Sequence, residues 1–292
     1  MTSPVTQGGL AERFERYRPR LFGIAYRMLG SVSEAEDAVQ DSWLRLDRAD
    51  ATAIRDLEGW LVTAVSRQCL DVLRARRARG PESSHLPEPL VAPDGPLDPE
   101  AAAMLGEAIG LALLVVLDRL APAERLAFVL HDVFGLPFAE IAAILGKTPA
   151  AARQLASRAR KRVRGAPLPS GDLQNQREVV AAFLAAARGG DLQGLLDVLD
   201  PEAVVRADFG PGGGSREFRG AQAVATGILA YAQFTRYGRP AIVNGTPGIV
   251  TAWGGRPNAV MAFTVVSGRI AEIDIVADPE RLTHVDIGGL DA

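Results

Sequence analysis

The chain has 292 residues, one cysteine, 48% hydrophobic and 23% charged residues, and a formal net charge of −3. The length suggests two or three domains, and the lone Cys69 excludes an intrachain disulfide. The first residues lack a charged start followed by an apolar core, and the longest apolar stretch, "IGLALLVVLDRL", is too short to span a bilayer, so no membrane association and a cytoplasmic location are expected.

Charge is unevenly spread. Residues 1–164 hold 22 Lys and Arg against 21 Asp and Glu, whereas residues 165–292 hold 10 against 14. The acidity therefore belongs to the C-terminal part. Within the first part it is blocked: Glu34, Glu36, Asp37 and Asp41 precede Arg74, Arg76, Arg77 and Arg79. Local fields matter more than the total to a surface that binds a polyanion.

In chain order, residues 10–79 read as helical. Leu21, Ile24, Ala25, Met28 and Leu29 follow helix spacing, and Gly30-Ser31 stops that helix. Ser33, with Glu36 three residues on, predicts the cap of the next helix, whose apolar stripe is Val39, Trp43 and Leu46. "DRADATAIRD" reads as a loop. A third helix is predicted from about Leu57 to Arg79, burying Trp60, Leu61, Ala64, Val65, Leu70 and Leu73. Cys69 falls within it and reads as a buried, inert thiol.

Residues 80–100 carry six prolines, so they predict a semi-extended linker that cannot be helical and would make a poor strand. Residues 101–165 are helical again. Phe138 to Leu145 is a short helix, Gly146-Lys147-Thr148 a tight turn, and Pro149 suits the first turn of the next helix with Thr148 as its cap. The second helix carries Arg153, Arg158, Arg160, Lys161, Arg162 and Arg164 with no acid among them. Solvated helix faces usually mix signs, so a helix-turn-helix that binds DNA is the stronger reading. Arg153 and Gln154, near the helix N-terminus, are placed to reach base edges; Ser157, Arg158, Arg160, Lys161 and Arg162 extend the surface toward phosphates.

After "GAPLPSGDLQNQ" the texture changes. Helical patterns at 176–200 and about 220–234 alternate with strand-like runs, "AVVRADF", "AIVNGTPGIVTAW", "NAVMAFTVVSG" and "RIAEIDIVAD". That order predicts an α+β domain. "FGPGGGSREF" reads as a flexible hairpin loop, and Gly146-Lys147-Thr148 fails as a phosphate-binding loop because the earlier glycine is missing. His85, His131 and His284 have no metal-ligand spacing, and no metal, cofactor or catalytic residue is expected.

The first 165 residues resemble a sigma factor of the extracytoplasmic-function group. "SVSEAEDAVQDSWLRL" resembles the polymerase-clamp-binding helix, "WLVTAVSRQCLDVLRARRAR" the helix that meets the −10 element, and "LAPAERLAFVLHDVFGLPFAEIAAILGKTPAAARQLASRARKRVRG" the −35-reading domain. "PAAARQLASRAR", "HLPEP", a glycine-rich tail loop and "ADPERL" resemble the subgroup with a fused SnoaL-like domain, related in shape to nuclear-transport-factor folds. Here the loop is Gly210-Pro211-Gly212-Gly213-Gly214-Ser215, without the subgroup's usual aspartate and lysine, and the terminal motif begins with Asp278 rather than asparagine.

The resemblance implies a multidomain chain: two all-α sigma domains, the second with a helix-turn-helix, then an α+β SnoaL/NTF2-like cone. The expected parts are 1–80 (core polymerase and −10 element), 81–100 (Pro-rich linker), 101–165 (−35 element) and 166–292 (regulatory domain). The implied partners are core RNA polymerase, bound through Asp37, Gln40 and Asp41, and promoter DNA, bound through the α-helical basic blocks, including Arg74, Arg76 and Arg77. A regulatory contact is implied between His85, Leu86, Pro87 and Glu88 of the linker and Gly212, Gly213, Gly214, Asp278 and Pro279 of the tail. The alternative is a DNA-binding regulator whose tail is a small-molecule enzyme or sensor; Asp208, Tyr231, Tyr237, Asn244, Trp253 and His284 are its polar candidates.

Overall fold

The computed structural model describes residues 7–50, 54–79, 86–94, 110–164 and 172–285. They form two compact units. One joins 7–79 to 116–164; the other joins 86–94 and 110–115 to 172–285. Among the described residues no helix is long and apolar enough to cross a membrane.

The first unit begins with α1 (Gln7–Leu29), α2 (Val32–Arg48) and α3 (Leu57–Arg79). α1 stops where Gly30 turns left-handed at φ 72°, a conformation that suits glycine. The next cap is Ser31, not Ser33: its hydroxyl accepts from Glu34 N at 3.4 Å. Ser33 already lies in the first turn, so the N-cap sits two residues earlier than the sequence spacing suggested. Leu21, Ile24, Met28, Leu46, Leu61, Val65 and Leu70 fill the core between the three helices.

α4 (Leu111–Asp118) leads into the second half of this unit. There α5 (Pro122–Phe128) runs through a π-turn, Val129–Val133. α6 (Phe138–Leu145) and α7 (Pro149–Val163) make the helix-turn-helix. Its turn has the predicted chemistry: Gly146 is left-handed at φ 63°, and Thr148 Oγ1 accepts from Ala151 N at 3.2 Å. Ala152, Ala156 and Ala159 face inward from α7, and their small side chains let it lie close to α5.

The two helical halves dock on each other around a buried guanidinium. Arg125 of α5 is fully buried; its Nε donates to Arg27 O at 3.0 Å and its Nη1 to Asp118 at 3.1 Å. Burial pulls its pKa down, against the raising effect of Asp118. Arg20 Nη2 adds a bond to Phe134 O at 3.3 Å.

The second unit carries one mixed seven-stranded sheet among its described residues, in the order β1-β4-β5-β6-β7-β2-β3. α8 (Leu173–Gly189) and α9 (Leu192–Val198) precede β2 (Leu199–Asp208). A helical turn at Gly210–Gly213, β3 (Ser215–Arg219) and α10 (Ala221–Ala230) follow. β4 (Gly238–Val243), β5 (Thr246–Trp253), β6 (Arg256–Val266) and β7 (Arg269–Val276) make a meander, and a 3-10 turn at Arg281–His284 closes the described chain. The β4–β5 turn is Asn244-Gly245 with φ 51° and 82°, the type I′ signature of a two-residue hairpin. Phe183, Leu195, Val205, Val224, Ile249, Phe263 and Ile273 form the core between the helices and one face of the sheet.

Two strands depart from the sequence reading. β3 emerges from the stretch taken as a flexible loop. β1 is Val91–Pro93, inside the proline-rich linker, and pairs antiparallel with β4 (Val91 opposite Val243, Ala92 opposite Ile242). Pro93 is tolerated because β1 is an edge strand and needs no donor on its outer side.

Candidate functional site

The basic helix α7 presents its predicted residues unequally. Arg153, Gln154, Ser157 and Lys161 are exposed. The Arg153 guanidinium lies 5.3 Å from the Phe138 ring centroid, which steadies a long side chain at the helix N-terminal end. Three other cations are held by acids: Arg158 Nε meets Glu124 at 2.8 Å, Arg162 Nη1 pairs with the same carboxylate, and Arg160 Nε meets Asp132 at 2.9 Å. Glu124 also accepts from Ala121 N at 3.4 Å. Burial raises its pKa, but the hydrogen bond from Arg158 and the charge of Arg162 outweigh that and leave it lowered. Local sequence could not show these pairs, because the acids lie on α5 and the π-turn rather than on α7.

On α3, Arg74 and Arg77 are exposed, Arg74 lying 3.4 Å from Asp71. Arg76 is a brace within the first unit instead: it pairs with Glu34 and donates to Leu29 O at 3.0 Å. Cys69 is buried on α3, and burial pushes its thiol up to about 12, as an inert core residue requires. Of the loop expected at 47–56, α2 takes residues to Arg48, and residues 51–53 lie outside the described ones.

α2 brings Asp37, Gln40 and Asp41 to one face. Asp37 and Gln40 are exposed; Asp41 bonds Arg45 at 2.8 Å. Leu44, 42% exposed, continues the same stripe one turn on. A groove of about 380 Å³ runs beside it between α1 and α2, lined by Phe14, Glu36, Val39, Gln40 and Trp43. An exposed leucine and acids on a helix that also lines a groove with Phe14 and Trp43 have the composition of a protein-docking surface.

In the second unit, residues 86–94 are held by the sheet. Leu86 N donates to Asp208 Oδ2 at 2.9 Å, and Asp208 is 1% exposed. Arg281 clamps the same point, its Nη1 on Asp208 at 2.9 Å and its Nη2 on Leu86 O. Leu90 N donates to Asn244 Oδ1 at 3.2 Å, and Asn244 N donates to Leu90 O at 2.8 Å. Asp94 pairs with Arg177 at 3.1 Å.

Of the expected contact residues, Leu86 is in this clasp, Pro87 and Glu88 lie along the clasped segment, and His85 lies outside the described residues. Asp278 supports the clasp from behind. It is buried, bonds Glu280 N at 3.0 Å, and lies so near Gly210 that a Cβ there would come within 2.6 Å of its Cγ. Pro279 is exposed. Gly212 and Gly214 face open space, and a Cβ on Gly213 would meet Phe209. The bonds of 86–94 go to Asp208, Asn244, Arg281 and Arg177 and, through β1, to β4, while the glycines lie in the turn after β2. Arg281 and Asn244 were missed as contact residues: the local sequence gives no sign that a hairpin asparagine and an arginine near the C-terminus meet one segment.

The polar candidates for catalysis in the tail are dispersed. Asp208 and Asn244 serve the clasp, Tyr237 stacks on Trp253 with centroids 5.7 Å apart, Tyr231 Oη accepts from Arg216 at 2.7 Å, and His284 is exposed in the 3-10 turn. Nearby, Arg206 is held by Glu272 at 2.5 Å and Asp274 at 2.8 Å, which raise its pKa against the opposing effect of burial. No group of acids, histidines and cysteines suited to a metal ion occurs among the described residues.

The chain matches two protein families, "Sigma-70 region 2" over residues 13–79 and "Sigma-70, region 4" over residues 110–163. It is 42% identical to "ECF RNA polymerase sigma factor SigJ" of Mycobacterium tuberculosis, over 92% of both chains. It is 34% identical to "Probable ECF RNA polymerase sigma factor SigI" of the same species, over 94% of this chain and 95% of that one. The crystal structure of Mycobacterium tuberculosis SigJ aligns at a TM-score of 0.78 with 38% identity, covering 94% of this chain and 98% of the other.

Proposed function

The chain belongs to the extracytoplasmic-function RNA polymerase sigma factors, and we propose that its C-terminal domain governs it by clasping the segment between its two promoter-reading parts. As a sigma factor it directs promoter-specific transcription initiation with core RNA polymerase. α7 reads the −35 element through Arg153 and Gln154, with Ser157 and Lys161 beside them. Arg158, Arg160 and Arg162 become available to phosphate only if Glu124 and Asp132 release them. The C-terminal end of α3, with Arg74 and Arg77, serves the −10 element. The stripe of Asp37, Gln40, Asp41 and Leu44 binds the polymerase, its acids facing a basic partner surface.

The observation that carries the regulatory reading is the clasp on residues 86–94. Without it, residues 80–109 could span the gap between two separated DNA elements. With it, residues 86–94 are held on the sheet and are not free to extend, where n residues reach at most about 3.3–3.6 Å each. The helical halves are docked around Arg125 and must part to read two separated DNA elements. The clasp therefore opposes opening, and the domain acts as a restraint. Tethering alone gives such a contact an effective concentration on the order of millimolar.

Run-off transcription by core polymerase on genomic fragments, with and without the chain, tests the sigma reading. Discrete transcripts that depend on the chain are expected; none on any fragment would refute it.

A further inference from the structure

The second unit is acidic overall, yet its acids avoid one long stretch. From Phe218 to Ala271 there is no Asp or Glu, while Arg219, Arg236, Arg239, Arg256 and Arg269 all fall within it. β4, β5 and β6 lie entirely in this acid-free stretch.

At one end of these strands aromatic rings stand in solvent. Trp253, at the β5–β6 hairpin, is 61% exposed. The Tyr237 ring lies parallel to it, 6° between planes, and the Arg236 guanidinium sits 4.6 Å from the Tyr237 centroid. The backbone extends the row. Phe234 N bonds Tyr231 O at 2.9 Å and Tyr237 N bonds Phe234 O at 3.1 Å. These bonds close two successive turns of chain that lead from Tyr231 to Tyr237. Tyr231 and Phe234 are each 41% exposed.

The charges around the row are cationic. Arg216 donates to Tyr231 Oη at 2.7 Å, and Arg239 and Arg256 are exposed. Arg188 reaches in from α8 to Thr235 O at 3.4 Å and Gly238 O at 2.5 Å, satisfied by carbonyls rather than a carboxylate. The recorded acid at its margin, Glu217, is engaged by Arg219 at 2.7 Å.

Flat rings with arginines between them match the chemistry of single-stranded nucleic acid: each base has a π-face to stack and each phosphate a charge to pair. A membrane-binding face would be a continuous apolar stripe, whereas here arginines stand among the exposed rings. We infer that the Arg236–Tyr237–Trp253 ladder, with Arg239 and Arg256, is a binding platform for single-stranded DNA in the C-terminal domain. Stacking and charge alone do not distinguish DNA from RNA; choosing DNA rests on the sigma reading, since promoter opening releases such a strand.

The test is fluorescence anisotropy of a labelled oligothymidylate with the full-length chain and no polymerase. Trp253→Ala should weaken binding about ten-fold, the value of roughly one stacked base, and Trp253→Phe should keep most of it. Arg239→Ala with Arg256→Ala should reduce the salt slope by about 1. Binding of duplex DNA should be the same in wild type and Trp253→Ala, because α7 is untouched. Equal oligothymidylate affinity in wild type and Trp253→Ala would overturn the assignment. So would a loss confined to oligouridylate, or one seen only with vesicles of anionic lipid. These readouts need no polymerase, so they fail or succeed separately from run-off transcription.

Discussion

Arg153 is exposed at the N-terminal end of α7, held over Phe138 and, among the described residues, without the carboxylate partner that Arg158, Arg160 and Arg162 have. Arg153→Ala should therefore cost about 1–3 kcal/mol of discrimination at one base pair of the −35 element; promoter selection by the variant, compared position by position, measures it. Glu124 does the opposite work, holding two cations against α5. Its pKa is lowered in the fold, so it contributes stability above the ordinary carboxylate value and loses it as pH falls through the lower folded value. Glu124→Gln should cost about 1 kcal/mol at pH 7, since both arginines are half exposed. Urea melts of wild type and variant should converge in acid. The basic run of α7 was plain in the sequence, but its neutralising acids were not, because ion pairs between helices leave no local pattern.

At the scale of elements, the roles proposed for α2 and the β1 clasp can be tested separately. Asp37→Arg with Asp41→Arg places positive charge on an exposed face without touching the buried Ala38, Val39 and Leu46. The fold should persist while co-elution with core polymerase is lost; retained co-elution would remove α2 from that role. The clasp rests on a buried carboxylate whose recorded cation is Arg281. Arg281→Ala leaves Asp208 buried without that cation, a change that costs several kcal/mol when a charge stays desolvated. Amide exchange at Leu86 and Leu90 should then rise more than ten-fold, with Ile249 and Val250 in the sheet interior unchanged. Gly146, Thr148 and Pro149 made the helix-turn-helix legible, and Asn244-Gly245 carries a hairpin signal in two letters. β1 was illegible because a strand of three residues ending in proline is stable only as an edge on a sheet already built. β3 was hidden by the glycines before it.

For the whole molecule, the two units do not follow chain order. Residues 86–94 and 110–115 belong with the C-terminal domain, so cutting the chain at 165 would strip both segments of their partners and mix loss of control with loss of packing. A point change in the clasp is cleaner. The bonds that hold Leu86 and Leu90 run to Asp208, Arg281 and Asn244, residues far along the chain from the linker. Run-off transcription from a promoter that depends on this chain, comparing wild type with Arg281→Ala at equal occupancy of core polymerase, tests the restraint directly. The variant should give several-fold more transcript, because the freed linker lets the helical halves part; equal or lower output would contradict the account.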